Sequence, residues 1–571
     1  MTRPSIKRLL AGALLFGVLM PSISALADGH DACQELVLYN GKIATMDRHD
    51  AIVSSVTIKY GRIAAIGSGH GIPKHLPCAE TVDLRGRMVI PGLIDSHDHF
   101  VVLSRRPGHD VRLETATSVS EVQEMIHFKS KSLNNGEWIS SIGGWDAIAQ
   151  LAEKRLPNLS ELDRAVPNNP VLLSIGLVGP SSTNTLGKRF FESNGIAVGS
   201  DGIISGGNFG GANSSLEAID ALRSIQTEKD LRQAALDAMK YSLSVGLTTH
   251  DDQGGGFPPV NFGPPPEFGT TPPWKGLVET SNNSSSLDPF TGYNTLVQLD
   301  REGQMSVRLR LFFYIKDLGP HLIFLRQRLN NTFPNFGDGY LKTTGVGEWI
   351  AAGTLKDPLP IYEAAARLVA ERGWSYDQHS EALEDERAIT SVWEKVNATT
   401  PIAGLRWCLA HVPGVDAVTI NRLKAIGAAV APAGSYLGEV RRQPAPLRSL
   451  IDSGIRIGYG SDGGSAAPLD PWLHIYYMVT NKNSIGAKVD SGQTVTRMEA
   501  LRLYTIDNAW FARDEEELGS IEPGKLADLV VLSDDFLDRV RVPDESIKHI
   551  SSVLTIVGGK IVYDTGVLAK R

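Results

Sequence analysis

The chain of 571 residues is 42% hydrophobic and 21% charged, enough for a large globular core with satellite units. A formal charge of −8 gives no electrostatic ground for nucleic acid or anionic lipid as a partner. A mean hydropathy of −0.09 excludes a protein of many membrane spans, and 57 glycines suit a fold with many tight turns.

The N-terminus reads as an export signal over residues 1–27. Arg3, Lys7 and Arg8 precede the apolar run Leu9–Met20, and Ala25-Leu26-Ala27 offers a small-x-small cleavage site. The run is too short to span a bilayer comfortably, so a cleaved signal is expected in place of an anchor. The expected location is periplasmic or secreted, the mature chain starting near Asp28 and holding no membrane segment. Three cysteines, Cys33, Cys78 and Cys408, are too few for a disulfide scaffold, and no C-x-x-C pair is present. Cys33 and Cys78 either pair in an oxidising compartment or stay as separate buried thiols, and Cys408 reads as core.

From Glu35 to Val82 short apolar strands alternate with turn signals such as Asn40-Gly41 and Tyr60-Gly61. The same pattern returns at Ala527–Leu532, Val553–Val557 and Lys560–Tyr563. Strands at both ends, with a different period between, predict one small β-sandwich assembled from residues 28–90 and 511–571.

Residues 91–510 change period. Thr227-x-x-Asp230 resembles a helix-capping box, and Leu231, Ala234, Ala235, Ala238 and Leu243 follow helical spacing until Gly246, after which Leu247–His250 reads as a strand. The sequence helix–Gly–strand recurs around Gly373, Gly427 and Gly454, which implies βα alternation and a parallel sheet. Chemistry-bearing residues stand at the strand ends. Met88–Ser96 runs into His97-Asp98-His99, and others end at His250, His379, His411 and Asp462. In a closed (β/α)₈ TIM-like barrel these ends meet on one rim, whereas an open sheet leaves them in a line, so the barrel is the expected fold. The Gly- and Pro-rich stretch Gly254–Trp274 follows the strand ending at His250, and is expected over that rim as a lid or a plain insertion.

His97-x-His99 places two imidazoles on one face of a strand, within reach of one ion. The surrounding Val89-Ile90-Pro91-Gly92-Leu93-Ile94-Asp95-Ser96-His97-Asp98-His99 resembles the first barrel strand of the amidohydrolase superfamily. The chain is most similar to its YtcJ-like (amidohydrolase 3) branch. Further resemblances are Gly143-Gly144-Trp145-Asp146, Gly460-Ser461-Asp462, Tyr504–Ala509 and Leu518–Leu529. They extend over nearly the whole mature chain, and they are specific for family but weak for substrate.

The resemblance implies a metal-dependent amidohydrolase, which the N-terminal signal would make a secreted one. It would hold a divalent metal, for which zinc is the expectation, with one or two ions per subunit. The ligands would be His97, His99, His379 and His411, with Asp462 both touching the metal and acting as general base and acid. Metal-bound hydroxide would attack the carbonyl of an amide-like, non-peptide C–N bond in a small-molecule substrate. Two departures stand out. The branch carries K-L-F-x-D-G-S-L on its fourth strand, with a carboxylated lysine bridging two metals; here Glu348 takes the lysine's place and is read as the bridge. The branch's D-G-H near the second strand is replaced by Leu177–Asn184, without the histidine. His250 matches an H-D pair after the third strand, and with Trp145 and Asp146 it is expected near the substrate. Ester or lactone hydrolysis and deamination of a cyclic amidine are the enzymatic alternatives, and a non-catalytic periplasmic metal- or ligand-binding protein is the alternative of another class. The glutamate of the deaminase pattern H-x-x-E is out of register at Glu381. A homo-oligomer is compatible with the sequence.

Overall fold

The computed structural model describes residues 35–69, 79–207, 212–254, 292–314, 320–331, 333–350, 359–434, 443–464, 466–489 and 492–568. The expected signal peptide, Cys33, Cys78 and the stretch beyond Gly254 lie outside these residues.

The centre is a parallel barrel. Seven strands pair in chain order: β1 (Leu93–Asp98), β2 (Leu247–Asp252), β3 (Arg308–Phe313), β4 (Leu341–Glu348), β5 (Ser375–His379), β6 (Cys408–Ala410) and β7 (Ala429–Ala431). The segment 457–463 closes the ring through parallel bridges, Ile457 to Val430 on one side and Gly463 to Asp98 on the other. Asn508 staples this closure. Its amide donates to Ile94 O at 2.6 Å and Tyr459 O at 2.7 Å, and its oxygen accepts from Tyr459 N at 2.9 Å. The 504–509 motif therefore has a structural reason: a fully buried amide satisfied on both sides of the seam.

Local signals set the alternation. Thr227 and Asp230 form the expected capping box at the start of helix Glu228–Ser244. Helix Leu447–Ser453 ends on Gly454 in the left-handed region, φ 67°, a conformation that a residue without Cβ reaches at no steric cost.

Two sheets share a second core. One orders strands 62–67, 55–59, 35–39 and 80–83; the other orders 560–564, 552–557, 529–532, 88–91, 42–44 and 52–53. Leu38, Val56 and Ile58 pack there with Leu529, Val531 and Ile556, so both chain ends build the β-sandwich, as expected. Arg308 of β3 anchors it to the barrel through Asp528, at 2.7 and 2.9 Å. Asp514 caps the same end with Arg310 at 2.5 Å and Lys342 at 2.6 Å.

Two expectations are corrected. Met88–Ser96 is not one barrel strand, because the chain bends at Gly92: Met88–Pro91 pairs in the sandwich and Leu93–Asp98 in the barrel. A Cβ on Gly92 would lie 2.1 Å from Thr248 Oγ1, so only glycine fits the bend. Leu177–Asn184 does not flank a barrel strand. It belongs to a separate five-stranded sheet, built from 109–110, 139–142, 171–174, 181–183 and 203–204, inserted between β1 and β2. The strand bearing His250 is consequently the second of the barrel, not the third.

Candidate metal centre

The C-terminal ends of β1, β4, β5 and β6 and the closing segment bring His97, His99, Glu348, His379, His411 and Asp462 together. Three donor groups each have their nitrogen and oxygen atoms within 4.8 Å of one another: His97, His99 and Glu348; Glu348, His379 and His411; His97, His411 and Asp462. Glu348 belongs to two of them. Its Oε1 lies 2.6 Å from His379 Nδ1, 3.5 Å from His411 Nε2 and 3.6 Å from His97 Nε2, and its Oε2 lies 3.6 Å from His99 Nε2. Asp462 Oδ1 stands 3.2 Å from His99 Nε2.

The backbone is shaped to aim these groups. Asp462 N donates to His97 O at 2.8 Å and His99 N donates to Gly463 O at 2.9 Å, which ties the closing segment to the end of β1. His411 and Asp462 both adopt left-handed backbone, φ 66° and 55°, a conformation that costs a side-chain-bearing residue energy and clusters at functional sites. Depth differs across the cluster. The His97 side chain is fully buried, while Asp462 is 18% exposed and forms the open side with His379 and His411.

Neighbouring acceptors orient the rings. His99 Nδ1 donates to Gly254 O at 2.7 Å, which leaves Nε2 with its lone pair toward Glu348 and Asp462. His97 turns Nδ1 toward Asp377 Oδ2 at 3.5 Å, and Gln253 Nε2 braces that carboxylate at 3.2 Å. Trp349 stacks on the His379 ring at 5.0 Å between centroids.

The donor set fits a divalent cation. Buried His97 Nε2, His379 Nε2 and His411 Nε2 have no hydrogen-bond partner among the described residues, an arrangement that is costly unless something else satisfies them. Burial opposes charge on Glu348, yet His379, His411 and His97 hold its carboxyl well below the usual range. Burial likewise opposes charge on Asp462, and His99 foremost lowers it. Imidazole nitrogen with carboxylate oxygen is a donor set that suits zinc.

The three residues expected at the substrate are engaged by the fold. Trp145 is buried in the inserted sheet's core, with its indole N–H on Ser174 O at 3.0 Å. Asp146 caps helix Ala147–Gln150 by accepting from Ile148 N and Ala149 N. His250 is fully buried, its Nδ1 against Asp98 Oδ2, and burial pushes its imidazole down to about 4. Sequence reasoning passed over Asp377 and Asp98. Asp377 was detectable, since it precedes His379 by two residues in a strand and shares its face.

The profile of the amidohydrolase family matches residues 80–257 and 287–563. The chain belongs to the amidohydrolase family. It is a hydrolase acting on carbon–nitrogen bonds. This amidohydrolase is 24% identical over 588 residues to an N-substituted formamide deformylase of Arthrobacter pascens, covering 93% of this chain and 98% of that one. It is 23% identical over 572 residues to the putative amidohydrolase YtcJ of Bacillus subtilis, covering 92% and 99%. Among solved structures, an uncharacterized metal-dependent hydrolase from Pyrococcus furiosus aligns over 88% of this chain and all of that one, at TM-score 0.54 and 20% identity. An atrazine chlorohydrolase variant from Arthrobacter aurescens, complexed with zinc and atraton, aligns over 94% and 97% at TM-score 0.52 and 15% identity. The shared architecture is the barrel of metal-dependent hydrolases.

Proposed function

We propose that this amidohydrolase is an exported enzyme that cleaves an amide-like, non-peptide C–N bond of a small molecule, with a divalent metal as cofactor and Asp462 as proton shuttle. The observation that carries the reading is the convergence of four imidazoles, Glu348 and Asp462 on one rim of the barrel. His97, His99, Glu348, His379, His411 and Asp462 would hold the metal, zinc by preference for nitrogen and carboxylate donors. Glu348 turns Oε1 toward His379, His411 and His97 and Oε2 toward His99, which supports a bridging role and two ions per subunit. When bound, such an ion supplies Lewis acidity, lowering the pKa of water toward about 7 and polarising a carbonyl.

The chain's own residues supply the proton traffic and the orientation. Asp462 lies on the open side of the cluster, where a substrate enters, and is placed to accept a proton from water and return it to the departing nitrogen. Gly254 O and Asp377 fix the rings of His99 and His97, so the donor atoms need no reordering on binding. Deep burial of His97 keeps bulk water from the inner face of the site.

Likeness to the formamide deformylase favours N-formyl amines as the first substrates to test. A second reading, deamination of a cyclic amidine, draws on Glu381, whose Oε1 lies 3.5 Å from His379 Nε2 where an acid could protonate a ring nitrogen. A relative over 36% of the chain is a 5-methylthioadenosine/S-adenosylhomocysteine deaminase of Symbiobacterium thermophilum. The test is turnover of purified, metal-loaded protein on N-formyl amines, N-acyl amino acids, cyclic amides and cyclic amidines, beside an Asp462→Asn control. Formate or carboxylate release supports amide cleavage, and ammonia release from an amidine supports the second reading. Equal turnover by both proteins refutes the role of Asp462. Export is tested by sequencing the N-terminus of the mature protein, which should begin near Asp28. No helix among the described residues is long and apolar enough to cross a membrane.

A further inference from the structure

A second cleft opens away from the metal cluster, where the segment after His99 meets helix Glu228–Ser244 and the last strand of the sandwich. Its volume is about 340 Å³, within the range that takes a small organic molecule. Four cations line it, Arg106, Arg112, Lys129 and Lys240, against two carboxylates, Asp110 and Asp237. With Glu114, which Arg112 also bonds, the balance is positive by one charge.

The two arginines are already built into a network, and the two lysines are not. Arg106 is 3% exposed and pairs with Asp110 at 2.9 Å, while Arg112 bonds Asp110 at 3.2 Å and also Glu114. Both retain a buried Nε with no hydrogen-bond partner among the described residues. Lys129 and Lys240 form no ion pair among the described residues, although they border the same cleft. Leu103, Ala238, Tyr241 and Tyr563 add an apolar and aromatic wall, beside Ser244, with the Arg112 guanidinium 4.8 Å over the Tyr241 ring. Unpaired cationic groups beside an aromatic wall recognise an anion attached to an apolar body.

We infer that this cleft is a second ligand site, for a small organic carboxylate with an aromatic or aliphatic body, distinct from the metal centre. The carboxylate meets Lys129 and Lys240, and the body rests against Tyr241 and Tyr563. Occupancy has a route to the catalytic rim. Arg106 Nη2 donates to Gly464 O at 2.9 Å, two residues beyond Asp462, and Glu114 accepts from Leu469 N and Asp470 N at 3.0 and 3.2 Å in the same loop. A carboxylate that draws Arg106 or Arg112 toward itself acts on the loop that carries Asp462.

The test is calorimetry on the metal-loaded, full-length protein with benzoate and, separately, inorganic phosphate. A Lys129→Ala/Lys240→Ala double variant should weaken benzoate at least tenfold, while its turnover without benzoate matches wild type. Crystals soaked with 4-bromobenzoate should show bromine beside Tyr241. Three results each overturn the proposal: benzoate affinity unchanged in the double variant, bromine in the barrel mouth alone, or phosphate bound where benzoate is not. The calorimetric and crystallographic readouts do not depend on the identity of the substrate.

Discussion

Glu348→Gln isolates the charge at the centre of the cluster. The amide keeps the size of the side chain and one oxygen donor, and removes one negative charge from a group within 3.6 Å of all four imidazoles. A carboxylate and a dication about 4 Å apart attract by roughly 8 kcal/mol at an effective dielectric of ~20. Desolvation of the buried carboxylate offsets part of this, and breaking one partner of a buried pair typically costs about 3–5 kcal/mol. The expected loss is therefore at least about 3 kcal/mol, roughly two powers of ten or more in the metal Kd. Competition against a chromophoric chelator gives the Kd, and elemental analysis after dialysis gives ions per subunit. Wild type should retain two ions and the variant fewer. A variant whose Kd stays within threefold of wild type, at unchanged stoichiometry, would show that Glu348 only borders the centre.

Asp462→Asn should lower kcat by about 10²–10⁴ through loss of the proton carrier, with metal content retained; a variant that loses its metal instead would make Asp462 chiefly a ligand. Asp377→Asn, which disturbs the orientation of His97 without touching the rim, should weaken metal binding by about 10–100-fold, measured by the same competition; an unchanged Kd removes Asp377 from the centre. Gly92→Ala drives a Cβ into Thr248, 2.1 Å from its Oγ1, and should cost about 1–3 kcal/mol of stability, partly recovered by Thr248→Ala; melting curves that coincide with wild type refute the close approach. Glu386 is buried, both its oxygens unpartnered among the described residues, and burial, with Asp416 and other acids, pushes its carboxyl from 4.5 up to about 8. A carboxyl raised on folding binds its proton more tightly in the native state, so stability falls as pH rises from about 4.5 to 8, by up to roughly 4–5 kcal/mol. Glu386→Gln should flatten the fall in Tm between pH 5 and pH 9, and parallel Tm profiles for the two proteins would contradict it.

What could be read from the chain, and what could not, divides by the range of the interaction. The helix Glu228–Ser244 was legible because its capping box lies within four residues, Thr227 to Asp230. The ligand cluster was legible because every donor stands at the end of a strand, and a closed parallel barrel brings such ends to one rim. The bend at Gly92 was not, since Val89-Ile90-Pro91-Gly92-Leu93-Ile94 reads as one apolar run. What splits it comes from far along the chain: Thr248 crowds the glycine, and Asp528 O accepts the Gly92 N–H at 2.8 Å. The inserted sheet was hidden for the same reason. Val171–Ser174 has the buried, apolar character of a barrel strand, and only its pairing with Ile139–Ile142 and Ser181–Thr183 assigns it elsewhere.

The centre itself follows the same division. Donor identity is a local property of His97, His99, His379 and His411, but donor direction is not. Gly254 O sets the tautomer of His99 from 155 residues away, and Gln253 steadies Asp377 across 124 residues. Both supporting residues come from the end of β2, the strand whose own histidine is turned away to Asp98. The resemblance placed His250 near the substrate because it matches the branch's H-D pair at a strand end. Physically, the contribution of that strand end passes through the next residues, Gln253 and Gly254, which orient ligands carried by β1 and, through Asp377, reach β5. Ligand residues can therefore be matched motif by motif, whereas the hydrogen bonds that aim them belong to the closed ring and appear only once the strands are side by side.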